Sequence, residues 1–307
     1  VADYTVPQPF FLKNQHAHFV LKYQPYIRWG FYRYKEWNMK FALVNGDKAE
    51  AQKGLRGTCV NCQSDMISKC GQVKVPHWAH KSKKACDPWW ENETEWHRTW
   101  KNHFPKEWQE KIHIDTATGE KHIADIKTDQ EFIIEFQHSA IEPSEAQSRE
   151  EFYKKMVWVI DGTHRKGDYP HFRKGFCFLR PLKIPGIFLS LLPNKCFHAS
   201  WIHRSVPVYF DFQDRNAANQ QDELRSVLWC LFPGRPGGFA VVARVSREDF
   251  VKFSSKGSHL LFAHEMLSNI SQVFQPQRAE AEKRKYPQVA PYRQQYARNP
   301  RHRIYRL

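Results

Sequence analysis

The apolar positions of this chain fall into short runs broken by turn-forming residues, and their spacing predicts a small α/β layer structure. Residues 40–44 read as a strand, Asn45-Gly46-Asp47 is a hairpin turn signal, and residues 48–52 are the return strand. A helix is expected over residues 91–104, ended by Pro105. Two strand-like runs follow, 122–127 and 131–138, separated by Thr128-Asp129-Gln130. Pro143 and Ser144 open a second helix running to residue 155, with Ser144 at the N-cap position and Gln147 in capping-box spacing. Residues 156–160 form an apolar strand stopped by Asp161-Gly162. Farther on, residues 176–179, 187–192, 206–212 and 239–245 read as strands, and 222–231 and 258–273 as helices.

Three segments do not follow that pattern. Residues 1–39 are aromatic and polar (Phe10, Phe11, Tyr23, Trp29 and Trp37 among them) and carry no motif; they are expected to be a packing extension. Residues 59–86 are rich in Gly and Lys and poor in aliphatics, so they cannot bury a core of their own, and small segments of that kind usually need a metal. From residue 275 the chain is rich in Arg, Gln and Tyr, with little to bury.

Charge narrows the partners. The formal net charge of +15 over 307 residues favours a polyanion, nucleic acid first and an anionic membrane second. No run of about 18 apolar residues suggests a membrane span, and no basic-then-apolar leader is read, so a cytoplasmic protein is expected. Seven cysteines is an odd number, and Cys59, Cys62, Cys70 and Cys86 crowd into one His-containing window. That favours metal binding in a reducing compartment over a disulfide framework.

Cys59-Val-Asn-Cys62 has zinc-knuckle spacing, and His77-Trp-Ala-His80 and Cys86 lie downstream. Thiolates with imidazole in a tetrahedral set suit Zn²⁺. Cys59 and Cys62 supply half the site; His80 and Cys86 are expected to complete it, with His77 and Cys70 as alternates. Four protein ligands leave no open position, so the role is structural.

The second constellation is acidic. Asp125 lies in one expected strand and Glu135 in the next, where a hairpin brings them together, and hard carboxylates suit Mg²⁺. Gln137, two residues beyond Glu135, shares its face of the strand. Glu93, His97 and Lys101 are spaced by four and form one helical stripe, with Glu95 a rival for Glu93. Glu93 is a metal or water contact; His97 and Lys101 are phosphate contacts. On the later helix, Arg149 and Tyr153 are also spaced by four, suited to a phosphate or to a supporting contact. Glu135 interrupts an apolar run, and a carboxylate there is costly unless it is paired or metal-bound.

Taken in order, these segments resemble the competence protein CoiA-like family. The likeness runs from Ala42-Leu-Val-Asn-Gly46-Asp-Lys-Ala49 through Cys59-x-x-Cys62, Pro76-His-Trp-Ala-His80, Cys86 and Glu93-Thr-Glu-Trp-His97. It continues through Ala124-Asp125-Ile and Ile134-Glu135-Phe-Gln137-His-Ser139-Ala-Ile141, then Glu145, Arg149, Tyr153 and Asp161-Gly162. That family is similar to PD-(D/E)xK nucleases. The resemblance implies an α/β fold with a PD-(D/E)xK restriction-endonuclease-like core, an N-terminal zinc-binding module and a C-terminal α+β extension. The segments become 1–39 (extension), 40–90 (hairpin and zinc module), 91–165 (nuclease core), 166–274 (α+β region) and 275–307 (basic tail).

In that reading Asp125 and Glu135 are the motif's acids, holding Mg²⁺ or Mn²⁺, and Gln137 stands where the superfamily usually has Lys. Glutamine cannot carry a positive charge or act as a base; it can only orient water or phosphate. The implied activity is DNA hydrolysis, as an endonuclease, in competence or in mobile-element conflict. Lys283, Arg284, Lys285, Arg293 and Arg298 of the tail would hold backbone phosphates, with Arg278, Arg301, Arg303 and Arg306. Two other functions are consistent with the residues: a nucleic-acid-binding module whose chemistry has decayed, and a subunit whose C-terminal region or basic tail docks on an acidic protein.

Overall fold

In a computed structural model of the chain, the residues described are 38–82, 86–214, 222–256 and 267–268. The aromatic extension up to residue 37, the basic tail with Lys283, Arg284, Lys285, Arg293 and Arg298, and nearly all of the expected 258–273 helix lie outside them. The described residues form a mixed α/β fold with two sheets and four α-helices.

The first sheet is antiparallel: β1 (Asn38–Met39), β2 (Phe41–Val44), β3 (Asp47–Glu50), β4 (Arg56–Thr58), β5 (Asp65–Lys69) and β6 (His77–His80), in the order β1-β6-β5-β4-β2-β3. Its first hairpin turns at Asn45 (φ 53°) and Gly46 (φ 93°), both left-handed, as a type I′ turn requires. Only this hairpin was legible in the sequence; β4, β5 and β6 are too short and polar to declare themselves. The core beneath them is small. Trp78 is fully buried, donates its indole N–H to the Ala49 carbonyl (2.8 Å), and packs with Met39, Ala42 and Met66. Trp90 and Ile123, which follow the sheet in sequence, complete that cluster.

Helix α1 (Glu95–Lys101) precedes the strands of the second sheet and is shorter than the expected 91–104. Thr94 caps it: its hydroxyl accepts from His97 N–H while the His97 ring accepts from Thr94 N–H. Residues 91–94 therefore lead into the helix, and Glu93 precedes it. Next come β7 (Gln109–Ile114), β8 (Lys121–Lys127) and β9 (Ile133–Gln137), antiparallel neighbours. Strand β7 was not expected, because Gln109-Glu110-Lys111 reads as a solvated segment.

Helix α2 (Pro143–Tyr153) starts one residue before the expected cap: Glu142 is the N-cap and Pro143 fills the first turn, where no N–H is needed. The Ser144–Gln147 capping box does not form; Gln147 donates to Glu151 instead (2.7 Å). The chain then enters β10 (Met156–Asp161), parallel to β9.

Beyond β10 come α3 (Asp168–Gly175), β11 (Arg180–Pro181), β12 (Ile187–Ser190), β13 (Val208–Asp211), β14 (Leu228–Leu231), β15 (Ala240–Val245) and α4 (Arg247–Ser255). Two expectations fail here. Residues 176–179 are a 3-10 turn (Phe176–Phe178) continuing α3, not a strand. Gly175 lies so close to the Lys195 backbone that a Cβ would overlap it, which fixes the bend there. Residues 222–231, expected to be helical, end in strand β14, whose four residues are all buried. A centrally placed strand is apolar on both faces and loses the period of two that would have identified it.

The sheet order is β11-β12-β15-β14-β13-β10-β9-β8-β7, so the strands after residue 166 extend the same sheet. Strand β10 lies within it, with Met156, Trp158 and Ile160 in one core and Val157 and Val159 in the other. Helix α1 packs its Trp96 and Trp100 on the second of these faces; α2 packs Ala146 and Phe152 on the first.

Candidate functional site

Two clusters stand out. The first is the Cys/His group. Cys59 and Cys62 occupy the turn between β4 and β5, shaped by Gln63 N–H to Cys59 O (3.0 Å) and Cys59 N–H to Ser64 O (2.9 Å). His80 ends β6, and Cys86 follows. The ligand atoms of Cys59, Cys62, His80 and Cys86 all lie within 4.8 Å of one another. Cys59 Sγ is 3.6 Å from Cys86 Sγ, and Cys62 Sγ is 3.3 Å from His80 Nε2. Zinc–sulfur bonds of about 2.3 Å in a tetrahedron would separate the sulfurs by about 3.8 Å, so the spacing fits. The hydrogen bond from Cys86, opposed by burial and helped by His80, pulls the Cys59 thiol down to about 4. The alternates drop out: the His77 ring nitrogen Nδ1 meets the Val75 carbonyl (2.8 Å), and Cys70 is outside the group.

The second cluster is a row of carboxylates across the β7–β8–β9 edge. The pairs Gln109–Ile126 and Lys111–Ala124 place Glu110 opposite Asp125; the pair Ile126–Ile134, continued by one residue, places Asp125 opposite Glu135. At this level the backbone ladder gives way to side chains. Phe136 N–H donates to Asp125 Oδ2 (3.0 Å), and Asp125 N–H donates to Glu135 Oε1 (3.2 Å). Glu110 has φ 47°, a left-handed conformation that costs a non-glycine residue about 1 kcal/mol or more. Its carboxylate takes the N–H groups of Lys40 (2.9 Å) and Phe41 (3.0 Å), fastening the first sheet to the second.

Lys101 occupies the centre. Its Nζ lies 2.8 Å from Glu93, 3.1 Å from Glu110 and 3.0 Å from Asp125. On the other side Arg149 donates to Glu135 Oε2 (3.0 Å), to Glu145 (2.5 Å) and to the Trp89 carbonyl. Side-chain exposure is 1 % for Glu93, 0 % for Glu110 and 4 % for Glu135 but 15 % for Asp125, so Asp125 is where the row meets solvent. Burial pushes Glu135 up to about 8; the Asp125 charge adds to this and Arg149 opposes it. Burial also raises Glu110, against Lys101 and with Glu93. Lys101 itself is held well above its ordinary value: burial works against its charge, and Asp125, Glu93 and Glu110 outweigh burial.

Residues 45–88 match the family model of the competence protein CoiA, N-terminal domain. Over those residues the chain is similar to that domain. No curated protein and no solved structure matches it.

The match covers β3 to β6 and the metal cluster; the acidic row lies beyond it. The structure brings Asp125, Glu135, Glu93 and Lys101 together, and leaves Glu95 exposed on α1. His97, expected to meet phosphate, is instead buried: its Nε2 faces the Phe136 carbonyl (3.1 Å) and Glu91 (3.4 Å). Gln137 donates to Glu91 and to the Ser139 carbonyl (both 3.1 Å). Arg149 and Tyr153 are 5 % and 3 % exposed, so neither is placed for direct phosphate contact; Arg149 supports Glu135.

Sequence reasoning missed three carboxylates. Glu110 was hidden because its strand was. Glu91 gathers Gln137 Nε2 with the His138 and Ser139 N–H groups (3.1 and 2.6 Å), pinning the end of β9. Asp87, beside Cys86, accepts from Ile123 N–H (2.7 Å) and binds the His122 ring (2.8 Å). Trp89 stacks on that ring and passes its carbonyl to Arg149. The metal loop is thus tied to Glu135 through Asp87, Trp89 and Arg149.

Glu91 gives a pH prediction. Burial opposes its charge, yet His97 and the backbone donors hold it down at about 2. A depressed carboxyl stabilises the fold fully above its ordinary value, near 4.5, and that stability is lost as pH falls toward 2. Denaturant titrations of wild type and Glu91→Gln between pH 6 and pH 3 should converge, with a gap of roughly 3 kcal/mol at pH 6 shrinking on acidification. Parallel curves would show that the carboxylate is not what holds β9.

Proposed function

We propose that this chain is a divalent-metal-dependent nuclease that hydrolyses phosphodiester bonds of DNA, built on a PD-(D/E)xK-type core. The observation that carries this reading is the placement of Asp125 and Glu135 opposite each other on β8 and β9, with Asp125 the most exposed acid of the row and Glu93 beside it across Lys101. Glu93, Glu110, Asp125 and Glu135 are paired with Lys101, Arg149 and, at 3.7 Å, Arg98. Hard oxygens gathered in this way are what Mg²⁺ and Mn²⁺ prefer. Glu93 Oε1 and Gln137 Oε1 are buried acceptors with no hydrogen-bond partner, as expected of a pocket meant for a cation.

Asp125 and Glu135 would hold the ion, with Glu93 beside them. When bound, such an ion stabilises charge on a phosphate oxygen and makes water a better nucleophile. The protein's own groups prepare the place. Lys101 pairs with Asp125 and Glu93, Arg149 pairs with Glu135, and Glu91 fixes the amide of Gln137 so that its oxygen can orient water. The Cys/His cluster would hold a structural Zn²⁺. The net charge of +15 suits a DNA partner, and no helix among the described residues is long and apolar enough to cross a membrane.

The deciding experiment is cleavage of plasmid and linear DNA with Mg²⁺ or Mn²⁺ by wild type, Asp125→Ala and Glu135→Ala. Metal-dependent cutting by wild type alone is expected, and cutting of closed circles would make the enzyme an endonuclease. Wild-type protein that binds DNA but cuts none with any metal would leave a binding module in place of an enzyme.

A further inference from the structure

Beyond the acidic row, β9 and β10 run parallel and end side by side at Gln137 and Asp161. The space outside the carboxyl ends of parallel strands is where open α/β sheets generally take their ligands. A cavity of about 270 Å³ lies there. It starts at His138, next to Gln137, and is walled by His164, Arg165 and His198 over a partly apolar floor that includes Ile141 and Trp201. A volume near the low end of small-ligand pockets, about 300 Å³, suits one nucleotide unit and not a duplex.

The polar walls are held in place. His138 Nδ1 is 2.7 Å from Asp161 Oδ2, and its ring lies against that of His164, with centroids 4.2 Å apart. Arg165 Nη1 donates to His198 Nε2 (2.8 Å), and Ser200 fixes the other His198 nitrogen (2.8 Å). Asp168, on the same lining, is close enough for its charge to feel Arg165, but among the described residues no carboxylate lies within ion-pair distance of the guanidinium, whose exposed donors are aimed by the His198 ring. Guanidinium forks match phosphate geometry.

We infer that this cleft binds a single-stranded nucleotide of the substrate strand next to the scissile bond, its phosphate on Arg165 and its base or sugar over Ile141 and Trp201. The inference rests on the nuclease reading for its substrate, and His198 acts as a positioning residue through Arg165.

The test uses full-length protein carrying Asp125→Asn to block cleavage, and fluorescence anisotropy with a labelled single-stranded oligonucleotide across a salt series. Adding Arg165→Ala should weaken binding about tenfold and lower the log–log salt slope by about one. His198→Ala should weaken binding less, and Arg165→Lys should recover part of the loss. Both side chains are exposed, so thermal melts should be unchanged. Binding by Arg165→Ala within twofold of its parent, at the same slope, would overturn the cleft. So would a deoxynucleoside monophosphate competing at the oligonucleotide's own concentration, since the ligand would then be a free nucleotide. The two readings fail separately: an Arg165-dependent complex with no wild-type cleavage sinks the nuclease and keeps the cleft, while cleavage with Arg165-independent binding does the reverse.

Discussion

Removing metal from the Cys59–Cys62–His80–Cys86 cluster is expected to melt the first sheet and to lower the thermal midpoint of the whole chain by ten degrees or more, about 5 kcal/mol for a domain of this size. The reason is the poverty of the core there. Trp78, Met39, Ala42 and Met66 are its main apolar contents, and the sheet relies on Trp90 and Ile123 for the rest. Structural zinc contributes roughly 10 kcal/mol or more in isolated fingers, and packing on the second sheet should reduce the dependence here. One zinc per chain is expected by native mass spectrometry. Cys59→Ser should behave as the chelated protein does, while Cys70→Ser should not. The damage should also reach Glu135, because Asp87 and Trp89 sit directly after Cys86 and hold His122 and Arg149. A chelated protein that melts like the untreated one would show that the cluster carries no structural metal.

Lys101→Met should be the most damaging single change in the second sheet, by about 3–5 kcal/mol in denaturant titration near neutral pH. Methionine matches much of the volume, so the loss is one of charge. Glu93, Glu110 and Asp125 would be left buried or partly buried around a neutral side chain. Carboxylates without a counter-ion have folded-state pKa values raised above their unfolded ones, so the stability of the variant should fall as pH rises through the neutral range. In the wild type the sign is opposite for Lys101 itself. Its raised value stabilises the fold at every pH below about 10.5, and that contribution is lost only above it. A Lys101→Met protein as stable as wild type at pH 8, with no recovery at pH 5, would mean that the cluster is not charged as described. Adding Mg²⁺ should partly rescue the variant if the ion can enter the vacated charge position.

Where the sequence was informative, a local rule was strong enough to act alone. Asn45-Gly46 demanded a type I′ turn and made one. The Cys-x-x-Cys pair with His80 and Cys86 indicated a metal cluster, because such donors are rarely gathered for another reason. Glu135 was singled out because a carboxylate in an apolar strand needs an explanation, and the structure places Asp125 opposite it. Where rules competed, the sequence misled. Ser144 had cap chemistry, but Pro143 took the first helical position and Glu142 the cap, two residues earlier. Residues 222–231 had the length and apolar content of a short helix, and burial on both faces made their end a strand.

The sequence by itself determined the mixed α/β class, the metal-ligand set with its alternates and the two strands that carry Asp125 and Glu135, since each follows from spacing along a few neighbouring residues. Only the tertiary structure decided which cations meet those acids. Lys101 arrives from a helix and Arg149 from another; Glu110 comes from an edge strand that reads as solvated and is buried by a left-handed residue. It also turned His97 inward and placed the cleft of His138 and Arg165 beside Gln137. Charge interactions in a buried site depend on distance and desolvation, and neither is encoded by separation along the chain.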